Sequence, residues 1–398
     1  MEWSNERLGD YCKVIAGQSP EGKYYNGDKE GLPFYQGKKE FGDRYIRAPK
    51  KWTTKVTKEA EAGDILMSVR APVGPINFST ENICIGRGLA AIRPTDKLSG
   101  EFLFDYLLSK QDEIKGNEGA VFASINKAQI EALSFSYVSL EEQKCIVAIL
   151  DQAFADIEQA RAKTEQNLLN ARELFESYLQ QVFSQRGEGW DSKTLENVSL
   201  DFGRGKSKHR PRNDDFLYGG SYPFIQTGDV RNCEHVITSY SKTYNEKGLA
   251  QSKLWPKGTI CITIAANIAE TGILDFDSCF PDSIIGVVID PKITIIRYVE
   301  YLLQSFRVIL QAKGKGSAQD NINMGTFESL EFPFPPLEKQ EQIVVQLDQL
   351  MTSVQSLENI YRNKLSAISE LKKSILQKAF TGQLTQSDKS SPRKGAAA

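Results

Sequence analysis

The chain has 398 residues, of which 40% are hydrophobic and 25% charged, with a formal net charge of −2 and six cysteines. That length exceeds what one core ordinarily holds and fits two domains of roughly 150 residues plus connectors, while the apolar-to-charged balance excludes a disordered or fibrous chain. Near-neutral charge gives no global argument for nucleic acid, so any basic surface has to be local.

No apolar run approaches the roughly 20 residues a membrane helix needs. The start, Met1-Glu2-Trp3-Ser4-Asn5-Glu6-Arg7, is polar and acidic and lacks the pattern of a secretory signal. A cytoplasmic protein with no membrane partner is expected. The cysteines (Cys12, Cys84, Cys145, Cys233, Cys261, Cys279) are scattered and form no C-x-x-C pair. Neither a zinc site nor a disulfide framework follows, and small apolar residues in strands is the plainer reading.

In chain order, Trp3 to Ile15 reads as an entry segment, and Gly17 to Gly31 as a turn-rich stretch broken by Ser19-Pro20 and Asn26-Gly27. Leu32-Pro33-Phe34-Tyr35 reads as a strand delivering Gln36, Lys38 and Lys39 to a loop. A buried strand, Ile65 to Val69, follows the turn at Ala62-Gly63-Asp64 and stops at Arg70-Ala71-Pro72. Strands are expected at Pro75 to Phe78, Asn82 to Ile85 and Leu89 to Ile92, then a helix from Gly100 to Lys115, an amphipathic segment from Lys127 to Leu133 and a strand from Phe135 to Val138. From Leu140 to Phe183 there is no proline or glycine, and Leu150, Phe154, Ile157, Leu168, Ala171, Phe175, Tyr178 and Val182 recur at helical spacing.

The second half repeats the first. Leu337-Glu338-Lys339-Gln340 answers Leu140-Glu141-Glu142-Gln143 at an offset of 340 − 143 = 197, and Leu347, Met351, Val354, Leu365, Ile368 and Ile375 continue the helical stripe. Upstream, Pro223-Phe224-Ile225-Gln226 answers Pro33 to Gln36, Lys257-Gly258 answers Ala62-Gly63, and Cys279 answers Cys84. Tyr301-Leu302-Leu303 answers Tyr106-Leu107-Leu108, and Ile322-Asn323 answers Ile125-Asn126. The expected division is a globular domain over 1–139, a helix over 140–185, a second globular domain over 186–336, a second helix over 337–383 and an unstructured tail over 384–398. The fold class is α+β, with two repeated mixed-sheet domains joined by two long helices. Antiparallel pairing of the helices would relate the domains by a pseudo-twofold axis, and their length suggests a spacer.

Several patterns resemble chemistry without supporting it. Gly205-Lys206-Ser207 ends like a phosphate-binding loop, but Leu200 stands where its first glycine must be. Gly86-Arg87-Gly88-Leu89-Ala90-Ala91 resembles a dinucleotide fingerprint, yet Pro94 arrives too soon for the helix that would hold the pyrophosphate. Asp282, Asp290 and Lys292 could be grouped as a metal-dependent nuclease core; against that, Asp290 sits where a strand ends, and its repeat counterpart is Arg93. His209 and His235 stand near no nucleophile pattern, so no catalytic residue and no metal ligand is assigned.

The better feature is the basic run Arg204-Gly205-Lys206-Ser207-Lys208-His209-Arg210-Pro211-Arg212, segregated in a chain of slightly negative charge. Such runs supply phosphate contacts. Candidate DNA-binding residues are therefore Arg204, Lys206, Lys208, Arg210 and Arg212. Polar or basic residues at strand-to-loop junctions join them: Gln36, Lys38, Lys39, Arg44, Arg70 and Arg87 in the first copy, and Gln226, Asn267, Lys313 and Lys315 in the second. A metal-dependent nuclease and a coiled-coil interaction protein that binds no DNA stay open as alternatives.

Taken together, these residues resemble the specificity subunit of type I restriction-modification enzymes over nearly the whole chain. The resemblance rests on the duplicated domain order and on the strand ends Ser134-Phe135-Ser136-Tyr137-Val138 and Phe332-Pro333-Phe334-Pro335-Pro336, each leading into Leu-Glu-x-Gln and a long helix. It also rests on Lys373 to Leu384 at the end of the second helix. The first copy departs from the pattern where Tyr137-Val138-Ser139 replaces the prolines. The resemblance implies two target recognition domains, each reading half of a bipartite double-stranded DNA site, and helices that fix the gap. Two methyltransferase subunits would assemble on the chain, bringing S-adenosylmethionine as their own cofactor, and restriction subunits could join; this chain itself would hold no cofactor and catalyse nothing. Faces around Glu141, Gln143, Glu338 and Gln340 are candidate partner contacts, with helix capping as the other reading.

Overall fold

A computed structural model of the chain describes residues 3–114, 124–211, 214–265, 267–315 and 322–386. The chain divides into two compact units, one of residues 1–165 and 363–398 and the other of residues 166–362. Each contains one globular domain and part of both long helices, which run from Leu140–Ser184 (the central helix) and Leu337–Ala379 (the distal helix).

In the first unit, strands Cys12–Ala16, Leu89–Pro94, Ile65–Ser68 and Ile76–Phe78 form an antiparallel sheet in that order. Ile65–Ser68 is buried at every position, as a strand covered on both faces must be, which explains the apolar run Ile65-Leu66-Met67. A second, irregular sheet places Leu32–Tyr35 parallel to Ile83–Ile85. Helix Gly100–Ser109 follows, ending at Lys110, and a separate turn, Gln111–Ile114, stands where one continuous helix is expected from the apolar spacing. Ser4–Arg7 pairs with Ser134–Tyr137 and so ties the start of the domain to the strand that feeds the central helix.

The second unit repeats this plan with Ser199–Arg204, Ile284–Ile289, Ile260–Thr263 and Thr271–Leu274 in the same order, extended by Val236–Ile237. Local details repeat as well. Gly63 (φ +91°) and Gly258 (φ +87°) take the same left-handed turn before equivalent strands, a conformation open to glycine at little cost. Asn126 and Asn323 cap equivalent short helices, accepting from Gln129 N–H at 2.9 Å and Thr326 N–H at 3.1 Å.

Each unit packs its helix segments antiparallel. In the first, Ile146 and Leu150 share a core with Leu376, Ala379 and Phe380, and Glu158 meets Lys372 at 3.1 Å. In the second, Arg172 meets Glu358 at 2.9 Å while Tyr178 reaches Gln346 further back along the distal helix. The stripe read from the sequence is the buried face, with Leu150, Ile157, Ala171, Phe175, Leu347 and Val354 all buried. Thr164 interrupts its apolar character; its hydroxyl donates to Ala160 O at 2.7 Å, the usual way a buried threonine is satisfied within a helix. Gln383–Gln386 adds a helical turn at the start of the expected tail, and 387–398 lie outside the described residues.

Candidate nucleic-acid interface

In the first unit the loops that carry the candidate residues are brought together by main-chain contacts. Beyond the parallel pairing of Phe34 and Tyr35 with Cys84 and Ile85, the two strands turn side by side. Gly86 N–H donates to Tyr35 O at 2.8 Å and Gly88 N–H to Gln36 O at 3.1 Å. A Cβ on Gly86 would sit 2.9 Å from Gln36 Cα, and one on Gly88 2.5 Å from Gln36 O. The G-x-G pattern is therefore a close approach of two backbones, and it presents Arg87 between them. Val69 N–H donates to Gly88 O at 3.0 Å, which sets Arg70 beside the same loop. Gln36, Lys38, Lys39, Arg70 and Arg87 are exposed on these adjoining loops.

Lys50 and Lys51 belong here too and were not singled out from the sequence. They line a cavity of about 490 Å³ with Phe34, Gln36, Gly37, Lys39 and Glu40. The signal available was the basic pair of Ala48-Pro49-Lys50-Lys51 leading into the strand at Trp52. Nearby, Lys23 and Lys55 lie 5.1 and 5.0 Å from the Tyr24 ring centre, so cation and aromatic face are interleaved at this edge.

In the second unit, Phe224 forms a parallel bridge with Cys279, and Ile225 N–H donates to Cys279 O at 2.8 Å, the counterpart of the Phe34 to Cys84 pairing. Both cysteines are fully buried. Gly205 occupies the place of Gly17. Its N–H donates to Ile284 O at 2.9 Å, as Gly17 N–H does to Leu89 O, and a Cβ would come within 2.3 Å of Phe280 O, against 2.2 Å from Gly86 O for Gly17. The basic run thus leaves the sheet where Gln18 to Lys23 leave it in the first unit.

The run is held through its backbone and through some of its side chains. Lys208 and His209 donate their N–H groups to Gln251 Oε1 at 2.5 and 3.0 Å, and Ser252 Oγ donates to Lys206 O at 2.7 Å. His209 Nε2 lies 3.0 Å from Asp214 Oδ2, and this hydrogen bond holds the Asp214 carboxyl below its usual range. Arg204 Nε donates to Asp282 O at 2.8 Å, and Arg210 donates to Ser207 O and His209 O with Asp282 Oδ2 at 3.8 Å. Asp282 stands at the position of Arg87 and anchors the run, while Asp290 accepts from Lys292 N–H at 2.9 Å as a turn former. Lys206 and Lys208 are exposed, with no ion pair among the described residues. Replacing both by alanine is expected to weaken DNA binding about tenfold at moderate salt and to lower the slope of log affinity against log salt by roughly 2, measured by titration at several ionic strengths.

Other candidates are placed differently. Arg44 points inward: its guanidinium meets the buried Asp105 at 3.4 Å and covers the rings of Phe78 and Phe104. Gln226 is half-buried at the start of helix Thr227–Asn232, its N–H bonded to Asp229 at 2.8 Å. Half-buried Asn267 and exposed Lys313 lie on two segments that meet where Gln311 Nε2 donates to Ile268 O at 3.2 Å. Arg212 and the Lys315 side chain lie outside the described residues. Exposed Arg231, on helix Thr227–Asn232, was not picked out from the sequence.

Gln143 and Gln340 correct an expectation. Both are fully buried and face no partner. Gln143 accepts from Ser99 N–H at 2.8 Å and donates to Lys97 O and Val138 O at 3.2 and 2.8 Å. Gln340 accepts from Thr294 Oγ1 and Ile295 N–H at 2.8 and 3.2 Å and donates to Ile293 O and Pro335 O at 3.3 and 2.8 Å. An amide is the side chain that can do both at once. Glu141 and Glu338 are exposed.

Burial pushes the Asp105 carboxyl up to about 6, with Asp151 and Glu101 adding to the rise and Arg44 opposing it. The folded state therefore holds this proton more tightly than the unfolded chain. The resulting stabilisation is complete below about pH 4 and lost as pH rises through 6. Asp105→Asn is expected to remove that slope, so its stability relative to the parent should rise by up to about 3 kcal/mol between pH 4 and 7, read by urea unfolding.

The family model for the type I restriction modification DNA specificity domain matches residues 1–166 and 187–367, and the chain belongs to that family. Its role is that of a DNA-specificity subunit in a type I restriction-modification complex. It is 40% identical over 176 residues to a Methanocaldococcus jannaschii protein described as the type I restriction enzyme MjaX specificity subunit, a match spanning 43% of this chain and 41% of that protein. With the type I restriction enzyme EcoDI specificity subunit of Escherichia coli it shares 23% identity over 97% of this chain and 89% of the other. The fold is shared with the HsdS subunit of Thermoanaerobacter tengcongensis (TM-score 0.63, 19% identity, 96% and 97% of the two chains covered). It is shared also with a chain from the assembly of the type I R-M system (TM-score 0.75, 19% identity, 96% and 98% covered).

Proposed function

We propose that each unit reads one half of a bipartite double-stranded DNA sequence through the loops that follow Gly17, Gln36, Arg70 and Gly86 in the first unit and Gly205 and Gln226 in the second, and that the helix pair sets the gap between the halves. The observation that carries this is the repetition of one loop frame with different side chains: Arg87 and unpaired lysines in the first unit, Lys206 and Lys208 in the second. Equal frames with unequal chemistry are what two readers of different half-sites require. Two methyltransferase subunits, which supply S-adenosylmethionine and methylate adenine, assemble with the chain, and restriction subunits join the complex. Among the described residues no helix is long and apolar enough to cross a membrane and no acid, histidine and cysteine cluster could hold a metal ion; a cytoplasmic location is in keeping with this role. The test is methylome sequencing of a host that expresses the chain with its methyltransferase partner. Adenine methylation at a sequence of two defined blocks separated by an undefined gap is expected, and methylation at a single continuous block would reject the reading.

A further inference from the structure

Both units contain a buried contact between an acid and a basic side chain at equivalent positions. In the helix after each sheet an acid precedes Tyr-Leu-Leu: Asp105 in the first unit, Glu300 in the second, both with fully buried side chains. Each acid meets a basic side chain from the edge segment of its own sheet. Arg44 reaches Asp105 at 3.4 Å, and His235 Nδ1 reaches Glu300 Oε2 at 2.9 Å. The backbone places Arg44 and His235 alike, since Phe78 N–H donates to Arg44 O and Ile273 N–H to His235 O, each at 2.8 Å. An aromatic ring of the same helix packs on each basic side chain, Phe104 at 4.8 Å from the Arg44 guanidinium and Tyr301 at 5.3 Å from the His235 ring.

The surroundings differ. Glu300 also accepts from Thr271 Oγ1 at 3.2 Å and Gln304 Nε2 at 2.5 Å, and Arg297 bridges it to Asp348 of the distal helix, at 3.7 and 2.6 Å. Asp105 has Arg44, and its Oδ2 is buried without a hydrogen-bond partner. Phe102 stands where the second unit has Arg297. A buried pair of this kind is often no more stable than an apolar replacement. Its presence in both units, built once from aspartate and arginine and once from glutamate and histidine, points to a geometric use.

The segments concerned carry recognition side chains. One begins at Gln36, just after the strand pinned by Cys84, carries Lys38 and Lys39, and ends at Arg44. The other begins at Gln226, after the bridge to Cys279, carries Arg231, and ends at His235. Each is fixed by backbone pairing at its start and by the contact with the buried acid at its end. We propose that Arg44 and His235 are positioning residues for DNA reading, each locking the far end of its recognition segment to the domain beneath and so setting where that segment's side chains meet the DNA. This rests on the reading of the two units as half-site readers.

The test uses Asp105→Asn, Glu300→Gln and the conservative His235→Arg in the full chain. Hydrogen exchange on the chain alone comes first. Asp105→Asn should lose at least tenfold protection at Phe78 and over 42–46 only, and Glu300→Gln at Ile273 and over 235–237 only; unchanged protection, or loss throughout the altered unit, would overturn the proposal. Next, with the methyltransferase partner, each acid variant should lose at least tenfold discrimination against base changes in one half-site, mainly through KM, with the other half-site unaffected. His235→Arg, which copies the first unit's solution, should retain discrimination. Equal loss at both half-sites would overturn the positioning role. If the parent complex methylates no bipartite site, the half-site reading fails by itself, and the exchange pattern still decides whether the locks exist.

Discussion

Lengthening both long helices by one turn should lengthen the undefined gap in the methylated sequence by about one or two base pairs while leaving both defined blocks intact. One turn is about four residues, or roughly 6 Å of rise, against 3.4 Å per base pair. The insertions belong after Thr164 and after Arg362, where each helix passes from one unit into the other. Paired insertions matter because the helices run antiparallel within each unit. Glu158 with Lys372 and Arg172 with Glu358 are facing contacts, and a lone insertion would carry one helix out of step with the other. The expected result is loss of methylation at the parent spacing and its appearance at the longer one, read by methylome sequencing. Methylation that persists at the parent spacing would remove the helices from any part in setting the gap.

Gln340→Ala should cost about 3 kcal/mol. It withdraws a fully buried amide from two donors and two acceptors, the Thr294 hydroxyl, Ile295 N–H, Ile293 O and Pro335 O, and buried groups left unpaired cost about 1 to 3 kcal/mol each before water or local shifts recover part of it. For a unit of this size the loss corresponds to a fall of roughly 10 °C in the melting temperature of the second unit in calorimetry. Gln143→Ala should do the same to the first. Gln340→Glu is a sharper variant of the test: nearly the same shape, but a carboxylate cannot donate to Ile293 O and Pro335 O, so it should be no milder than alanine. A change under about 1 kcal/mol would mean that water replaces the amide readily.

The architecture was legible because it is written in periods and repeats. Apolar spacing along Leu140 to Phe183 gives the buried face of the central helix, and the duplicated landmarks around Cys84 and Cys279, Gly63 and Gly258, and Asn126 and Asn323 recur as equivalent pairings, turns and caps. The interior polar contacts were not legible. Arg44 and Asp105 lie 61 positions apart, and a charged residue beside a glycine-containing loop looks exposed from its neighbours alone. Gln143 and Gln340 sit in highly charged helix starts and read as surface. The available clue was their identity in both copies amid glutamates and lysines that differ, since a side chain held by fixed donors and acceptors tolerates no exchange. Lys50 and Lys51 were missed for a third reason: their place beside Gln36 depends on an irregular loop whose course no local pattern dictates.

The close approaches at Gly17 and Gly205 bear on how such a protein changes over time. The point where each loop leaves its sheet is fixed by main-chain hydrogen bonds and by the lack of a Cβ, and neither depends on the side chains that follow. Point changes in the exposed side chains that take no part in holding the loop, such as Lys206 and Lys208, therefore alter what is touched without moving that departure point. Arginine at 87 and aspartate at 282 show the range already explored under one backbone: one faces solvent, the other ties down an arginine pair. A chain built in this way can acquire a new DNA preference in one half by a few substitutions while the other half, its helices and its partners stay as they were, so that its two vocabularies evolve at separate speeds.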